Sequence, residues 1–408
     1  MRLRELQGAI SKSLMEMKMK ILIPILLLIF FGGLLVFLFY RDPIQKLGRS
    51  LVTTDIKAAI IELDRSIWRL EQNKIGQSGD VRKVYFYDES VGYAIAFPNI
   101  VLKTSDGGVH WETLSVLSDY AIEDIFFTNS TEGFCITNKL TNEYDGENES
   151  HILKSTDGGR TWVSGYMSDS GAFRRLVFGS DGTGFVVGKA RLTAPQVDSA
   201  DLIIHTTDNG QTWTDISTHL NNIAVNESGR VQESLTDVFI LGNRDIVVLS
   251  SSGKLYKSVD NGKSWAAVSV LSNEPSQTDI NHFGVFEDGR FWIAGGTDSQ
   301  EGIWGMISVS KDYVGWNRYR LNGYYFSDAK FISASEIVAC GSVPFITSSG
   351  REQRKGVILY SNDNGKSWMK VEENSSSTEF TSIAKLTSNR VFVAGQNGVG
   401  VLLEKHLK

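Results

Sequence analysis

An eight-residue pattern that recurs along most of this chain restricts its fold more than any other feature. Each copy starts with Ser or Thr, carries Asp at its third position and ends on Trp, and the complete copies carry Gly at their fifth position. Five copies are complete and one is a residue short, and they are Thr104–Trp111, Ser155–Trp162, Thr206–Trp213, Ser258–Trp265, Ser361–Trp368 and the shorter Ser310–Trp316. The aspartates are 51 or 52 residues apart, at Asp106, Asp157, Asp208, Asp260, Asp312 and Asp363. A fixed period near fifty residues is typical of a propeller or a solenoid.

Within one period, short β-rich runs alternate with turn residues. Residues 81–86, 92–97, 100–104 and 111–114 each have the composition of a strand, and such runs predict an all-β domain. Four strands per unit, repeated radially, is the architecture of a β-propeller, whose blades shield one another's strand edges. A solenoid of β-strands would use a shorter repeat.

The two ends of the repeat region together supply one further blade. Six units run from about residue 80 to residue 372, and residues 380–386, 390–396 and 399–404 then provide three more strands. Residues 67–70 precede the first unit and resemble the missing fourth strand. Pairing the two termini would close the ring and remove its last free edge. We therefore expect an all-β, seven-bladed β-propeller over residues 65–408.

Residues 41–64 decide between seven blades and eight, because a strand hidden there would allow an eighth blade. The apolar residues of this stretch are spaced closer to a helical period than to strand alternation, and they are Leu47, Leu51, Ile56, Ile60 and Leu63. The sequence thus predicts a helical linker over residues 41–64 and seven blades.

Residues 21–40 form a run of twenty uncharged residues, ILIPILLLIFFGGLLVFLFY. At about 1.5 Å per residue, a helix of this length spans the roughly 30 Å core of a bilayer. A removable signal has a shorter apolar core and a small-residue cleavage site, whereas this run ends in Phe39-Tyr40-Arg41. We expect an uncleaved transmembrane helix.

Basic residues are more frequent before the apolar run than after it, which predicts a cytoplasmic N-terminus and an extracytoplasmic propeller, periplasmic or lumenal. The residues concerned are Arg2, Arg4, Lys12, Lys18 and Lys20 before the run, and Arg41, Lys46 and Arg49 after it. Residues 1–20 also carry apolar side chains at helical spacing. This cytoplasmic basic segment is either an amphipathic helix on the inner leaflet or a plain basic flank that fixes topology.

The charge of the remaining chain excludes one class of partner. Five basic and two acidic residues give residues 1–40 a charge of +3, which leaves −9 for the rest of a chain whose formal charge is −6. Nucleic acid binding requires a basic face, so we expect no nucleic acid partner. The only cysteines, Cys135 and Cys340, fall out of phase on distant blades, which predicts free buried thiols. With isolated histidines, we expect neither metal nor cofactor.

The repeated eight-residue pattern has a structural logic. Its Asp can accept backbone N–H groups of the following turn, and its Gly supplies a positive φ. Its Trp offers apolar area for packing between blades. The tryptophans are Trp111, Trp162, Trp213, Trp265, Trp316 and Trp368. Because equivalent positions are distributed around a ring, the aspartates cannot converge on one site, and we interpret these residues as scaffold.

These motifs resemble the BNR/Asp-box repeats of sialidases, sortilin-type receptors and the photosystem II stability/assembly factor family. The unit from Gly92 to Trp111, in which a Gly-aromatic strand and an Ile-Val-Leu-Lys-Thr strand lead directly into the box, is most similar to the assembly-factor family. The resemblance covers residues 65–405. It implies a propeller fold and a non-enzymatic assembly role on a lumenal or periplasmic side, although a retained anchor departs from a freely soluble member.

A sialidase-like glycoside hydrolase is the alternative from a different class. It would need three arginines that converge on a carboxylate, a Tyr nucleophile and acidic partners. The early Arg-Ile-Pro motif of sialidases is absent, and Phe97-Pro98 is the nearest fragment. The candidate arginines are Arg174, Arg175, Arg230, Arg290 and Arg318. Spacing alone does not bring them together, so we expect no catalytic residues.

Long connections on the face opposite the boxes are the candidate partner-binding segments, because loops concentrate binding. They are residues 139–150, 189–200, 217–234 and 342–355, with an aromatic cluster at Tyr324, Tyr325 and Phe326. The candidate partner-binding residues are Tyr144, Asp145, Arg191, Arg230, Tyr324, Tyr325, Arg351 and Arg354. Solvated insertions without a partner are the alternative. The sequence therefore predicts a membrane-anchored protein-interaction scaffold or assembly factor for an envelope or membrane complex, with a glycan- or peptide-binding receptor module as another possibility.

Overall fold

The computed structural model describes residues 54–61, 67–75, 79–139, 149–169, 171–190, 200–221, 234–241, 245–251, 253–270, 279–286, 288–299, 302–312, 315–374 and 378–406. The predicted N-terminal segment and the apolar run at 21–40 lie outside these residues. No helix in the described part of the chain is long and apolar enough to cross a bilayer.

The described chain is almost entirely β-structure, arranged as seven antiparallel blades of four strands, each a simple meander. Three strands precede the first complete blade, and they are β1 (Thr54–Lys57), β2 (Ala59–Ile61) and β3 (Trp68–Lys74). Blade 1 is β4–β7 (Val81–Phe86, Gly92–Ala96, Ile100–Thr104, Glu112–Val116), and blade 2 is β8–β11 (Tyr120–Phe127, Gly133–Lys139, Ser150–Ser155, Val163–Ser168). Blade 3 is β12–β15 (Gly171–Phe178, Gly184–Ala190, Ala200–Thr206, Thr214–Asp215), followed by the short helix α1 (Ser217–Asn221).

The remaining four blades repeat this order. Blade 4 is β16–β19 (Leu235–Leu241, Asp245–Ser250, Lys254–Ser258, Ala266–Val270), and blade 5 is β20–β23 (Asp279–Val285, Phe291–Ser299, Gly302–Ser310, Trp316–Asn322). Blade 6 is β24–β27 (Tyr325–Phe331, Ile337–Ile346, Glu352–Ser361, Ser367–Glu373). Blade 7 consists of β28–β30 (Phe380–Lys385, Arg390–Gly395, Val399–Lys405) and β3.

The ring closes as the sequence predicted, through a blade that both ends of the propeller build. Strand β3 pairs antiparallel with β30 over seven residues, from Trp68 opposite Lys405 to Lys74 opposite Val399. Trp68 is buried and meets Tyr360 of blade 6 edge to face at 5.4 Å. Closure therefore joins the two ends of the propeller by main-chain hydrogen bonds and by packing on the neighbouring blade. The seven-bladed fold is confirmed.

The prediction of a helix within residues 41–64 is wrong for residues 54–61, which form two strands. Strand β1 pairs parallel with β23 of blade 5, and β2 pairs parallel with β27 of blade 6. Between them, Ala58 donates its N–H to the carbonyl of Arg320 at 2.8 Å. The open N–H and C=O groups of a blade's outer edge outweigh a weak helical spacing. The eight-bladed alternative fails because each strand extends an existing blade.

Apolar side chains from neighbouring blades meet in seven clusters, one at each blade interface. Between blades 1 and 2, Tyr93 stacks on Phe127 with centroids 3.8 Å apart. The two cysteines occupy different interfaces, since Cys135 faces blade 1 and Cys340 faces blade 7. Both are buried free thiols, and burial raises the pKa of each. The hydrophobic effect thus acts between blades all the way around the ring.

Two of the predicted long loops contain regular structure. Most of residues 342–355 belongs to a long hairpin of β25 and β26, in which Ile346 is the partner of Glu352. Residues 217–221 form α1, whose Leu220 is fully buried. Phe326, expected in an aromatic loop cluster, lies in the core against Trp368 at 5.2 Å. Two physical causes explain why these segments are not loops. The residues of the blade 6 hairpin alternate as strand residues do, and Leu220 and Phe326 bury their apolar side chains.

Candidate functional site

The meander divides the propeller into two faces. The first strand of each blade lines the central channel. The turns between first and second strands, and the hairpins between third and fourth strands that carry the repeated motif, lie on one face, the box face. Connections between second and third strands and between blades lie on the other, the loop face. A site therefore belongs to the box face, the loop face or the channel.

The hairpins of the box face share one hydrogen-bond pattern. In blade 2, Asp157 Oδ1 accepts the hydroxyl of Ser155 at 2.9 Å and the backbone N–H groups of Arg160 and Thr161, both at 2.9 Å. Thr161 Oγ1 donates to Asp157 Oδ2 at 2.6 Å. These bonds hold the pKa of Asp157 below its ordinary value. All of these hydrogen bonds lie within one turn. The Asp157 carboxylate therefore stabilises that turn and is a poor candidate for a catalytic or metal-binding group.

The other aspartates of the pattern repeat this arrangement. Asp106, Asp208, Asp260 and Asp363 each accept the first hydroxyl of their own motif at 2.8 Å. In the short copy, Asp312 accepts the Gly315 N–H at 3.0 Å. In the third complete copy, glycine is needed at the fifth position, because a Cβ on Gly210 (φ +70°) would lie 2.3 Å from the Phe134 ring.

The tryptophans of the pattern lie at the blade interfaces. Trp111 contacts Phe392 of blade 7 at 5.4 Å, and Trp213 contacts Phe134 of blade 2 at 6.3 Å. Trp368 is 1% exposed within the cluster shared by blades 5 and 6, and Trp162, Trp265 and Trp316 occupy the corresponding clusters of their blades. The motif residues are therefore spread around the ring and do not form one site.

A ring of charged side chains surrounds the channel axis, and sequence reasoning missed it. Each first strand contains a bulge, and the residue after it contributes one ring member. From blade 1 to blade 7 the members are Lys83, Asp124, Arg175, Asp237, His282, Asp328 and Ser382. Basic and acidic residues thus alternate through blades 1 to 6, and the neutral serine fills the seventh place. We call this set the charge ring.

Every member of the charge ring reaches to the next blade. The basic members pair with the following aspartate: Lys83 with Asp124, Arg175 Nε with Asp237 at 3.8 Å, and His282 Nε2 with Asp328 at 3.3 Å. Seven is odd, so strict alternation would place two like charges side by side. Serine in blade 7 avoids that repulsion.

The acidic members and the serine accept a backbone N–H of the following blade. The bonds run from Leu176 to Asp124 (3.0 Å), from Phe283 to Asp237 (3.3 Å), from Ile383 to Asp328 (2.8 Å) and from Val84 to Ser382 Oγ (3.2 Å). Each aspartate also accepts the N–H of the residue after it, at 2.8 or 2.9 Å. With two N–H donors and a basic side chain each, the aspartates are satisfied structural acceptors.

Burial sets the electrostatics of the charge ring. It lowers the pKa of His282 to about 3, so this histidine is neutral near pH 7. Burial also lowers the pKa of Lys83 and raises that of Asp237. His282, interpreted from sequence as an isolated histidine, is thus part of a buried network. When the seven first strands are aligned, each ring position directly precedes a buried apolar residue. This shared pattern is the sequence signal for the charge ring.

The central channel contains a cavity with a volume of 720 Å³. All seven first strands line it, and the charge ring lies within it. Tyr325 lines it from the start of β24, at the loop face. Among the described residues, no group of three or more His, Cys, Asp or Glu is arranged to hold a metal ion.

The predicted partner-binding residues divide into two sets. Tyr144, Asp145, Arg191 and Arg230 lie outside the described residues. Tyr324, Tyr325, Arg351 and Arg354 are described, and all four lie on the loop face around the long hairpins of blades 5 and 6. Arg354 pairs with Asp298 across these two hairpins, while Arg351 is exposed at the tip of its hairpin. We call these two hairpins the crest.

The arginines considered for a sialidase-like clamp occupy separate environments. Arg175 belongs to the charge ring, and Arg290 lies on the box face, where it contacts Asp288 and the carbonyl of Ala334. Arg318 is buried on β23, and Arg174 is exposed on β12. Of these four described arginines, only Arg175 lines the channel cavity.

Neither a family profile nor a curated protein matches the sequence. Solved structures do. A structure of YCF48 bound to D1 peptide superposes with a TM-score of 0.57 at 17% identity, covering 86% of this chain and 100% of that chain. YCF48 from Cyanidioschyzon merolae gives 0.56 at 18%, covering 83% and 98%. An ulvan lyase of polysaccharide lyase family PL25 gives 0.56 at 8%, covering 83% and 96%. The resemblance to the assembly-factor propeller is thus confirmed at the level of the fold, which lyases share.

Proposed function

We propose that this chain is a membrane-anchored, extracytoplasmic interaction scaffold that binds a protein partner on its loop face, as an assembly factor for an envelope or membrane complex. Residues 21–40 serve as the anchor. Their twenty uncharged residues and the basic residues before them support this role.

The crest is the observation that carries the proposal. Blades 5 and 6 extend their second and third strands to nine or ten residues, where blade 1 has strands of five. The crest joins these blades through Arg354 and Asp298, and it places Ile346, 67% exposed, close to the charged Arg351. An exposed apolar residue beside an arginine, held on rigid strands, is typical of an interaction anchor.

The similar YCF48 structure supports the same class of function, because that propeller was solved with a bound peptide. In this chain, Tyr325 stands where the crest meets the channel mouth. A partner segment that contacts the crest would therefore reach an aromatic side chain. Satisfied carboxylates in the charge ring and dispersed arginines favour binding over hydrolysis.

Purification of the full chain from its native membranes, with identification of co-eluting proteins, tests the proposal. Arg351→Glu on the crest is compared with Lys366→Glu, which changes an exposed basic residue on the box face. We expect a stoichiometric partner that Arg351→Glu removes and Lys366→Glu retains. No specific partner, or equal loss in both variants, would count against a loop-face scaffold.

A further inference from the structure

The half of the channel between the charge ring and the box face has an apolar wall. Two residues after each ring position, the first strands of blades 1 to 4 place Tyr85, Phe126, Val177 and Phe239 along the cavity. All four are partly exposed. Tyr85 and Phe126 lie 5.5 Å apart, and Tyr85 donates its hydroxyl to the carbonyl of Phe127 at 3.1 Å. This wall therefore presents apolar side-chain surface to the cavity.

The opposite wall is cationic. Lys330 of blade 6 lines the same cavity, with its Nζ 3.5 Å from Asp328. Lys385, the last residue of the first strand of blade 7, is exposed at the box-face rim of the cavity. No described carboxylate pairs with Lys385. One side of this half-channel is thus apolar, and the other carries ammonium groups.

Charge balance distinguishes the cavity from the rest of the propeller. Five basic and four acidic side chains line it, and His282 is neutral, whereas the chain after residue 40 carries −9. An anion that enters the cavity from the box face moves away from the acidic exterior and is attracted by the lysine ammonium groups. A flat apolar group would fill the space against the aromatic wall.

We propose that the box-face half of the channel is a binding site for a small organic monoanion with a flat apolar body, such as an aryl carboxylate. The carboxylate contacts Lys385 and Lys330, and the aryl group packs on Phe126 and Phe239. The whole channel cavity has a volume of 720 Å³, so its box-face half has room for a small molecule of this kind. This site lies on the face opposite the proposed partner surface and does not depend on it.

The test uses full-length protein in lipid nanodiscs and 2-naphthoate as the probe, titrated by calorimetry against empty nanodiscs. The neutral analogue 2-naphthalenemethanol separates charge recognition from apolar partitioning. We expect saturable one-to-one binding of 2-naphthoate, and binding of the alcohol weaker by about tenfold, as the loss of one partly desolvated charge pair predicts.

Two variants and one control locate the site. Lys385→Gln is expected to weaken 2-naphthoate binding by about three- to tenfold and to reduce its salt dependence. Val177→Trp places a larger side chain in the cavity beside the apolar wall. This change is expected to abolish binding with little change in melting temperature. Lys366→Gln, also exposed on the box face, is expected to change nothing. Equal affinity for both probes, no binding at millimolar concentration, or equal effects of Lys385→Gln and Lys366→Gln would overturn the proposal.

Discussion

Asp328 of blade 6 accepts the backbone N–H of Ile383 in blade 7 at 2.8 Å, and this bond repeats a device found at other blade interfaces. Buried acceptors on one blade satisfy donors on the next, and a basic side chain of the preceding blade pairs with each carboxylate. The propeller is therefore held together at its axis by polar contacts and farther out by seven apolar clusters.

Asp328→Ala tests this device at one interface. The change leaves the N–H groups of Ile383 and Ala329 without their acceptor and removes the carboxylate beside His282. Loss of two buried bonds and of the carboxylate that pairs with Lys330 is expected to lower the free energy of unfolding by about 3 kcal/mol. Ser382→Ala, which removes one acceptor, is expected to cost about 1 kcal/mol. Denaturant titration measures both, and equal effects would refute a special role for the aspartate.

Acid should destabilise the propeller through His282 as the pH falls below about 6.5. Burial lowers its pKa to about 3, whereas an unfolded chain has a histidine pKa of about 6.5. Between these values the unfolded state binds the additional proton, so stability is complete above pH 6.5 and falls as the pH decreases toward 3. Asp328, Lys330 and Arg175 act on this histidine.

The matched variant for this pH dependence is His282→Gln, which cannot take up the proton. We expect melting temperature to fall less between pH 6.5 and pH 5 in the variant than in the parent. His205, whose pKa is also lowered by burial, leaves a residual slope. Parallel profiles for parent and variant would contradict a lowered pKa of His282 in the folded state.

Trp368→Ala tests whether a motif tryptophan stabilises the fold without contributing to partner binding. Trp368 is 1% exposed between blades 5 and 6, and its Nε1 donates to the Gly365 carbonyl at 3.0 Å. Removing a buried indole is expected to cost about 3–5 kcal/mol. Partner capture per folded molecule is expected to remain unchanged. Normal melting with lost capture would instead assign the box face to the partner.

The parallel strands β1 and β2 can be tested at the residue between them. Ala58 is buried, and its N–H bonds the Arg320 carbonyl at 2.8 Å. Proline there removes the donor, so Ala58→Pro is expected to speed hydrogen exchange in residues 54–61 and in β23, with an intact seven-bladed ring. Lys57→Ala at the exposed neighbouring position is the control. Unchanged hydrogen exchange in β23 would mean that these strands do not protect the outer edge of blade 5.

Blade number and blade boundaries were predictable because the motif recurs at a nearly fixed spacing and its strands alternate. Equivalent reasoning missed the charge ring, since connections of different length separate its members. Asp124 and Arg175 are 51 residues apart, but Arg175 and Asp237 are 62 apart. Residues 54–61 were mistaken for helix because local spacing carries no information about an unpaired edge on a distant blade. The blade 6 part of the crest was predicted as the long connection 342–355, whereas its regular hairpin and the blade 5 hairpin were not predicted.

Site-specific photocross-linking in native membranes tests the loop-face scaffold most directly. A photoreactive phenylalanine analogue replaces Arg351 on the crest or, in a second strain, Lys366 on the box face. The account predicts one discrete protein adduct from position 351 and none from position 366. An adduct from position 366 alone, or none from either position, would contradict a partner surface on the loop face.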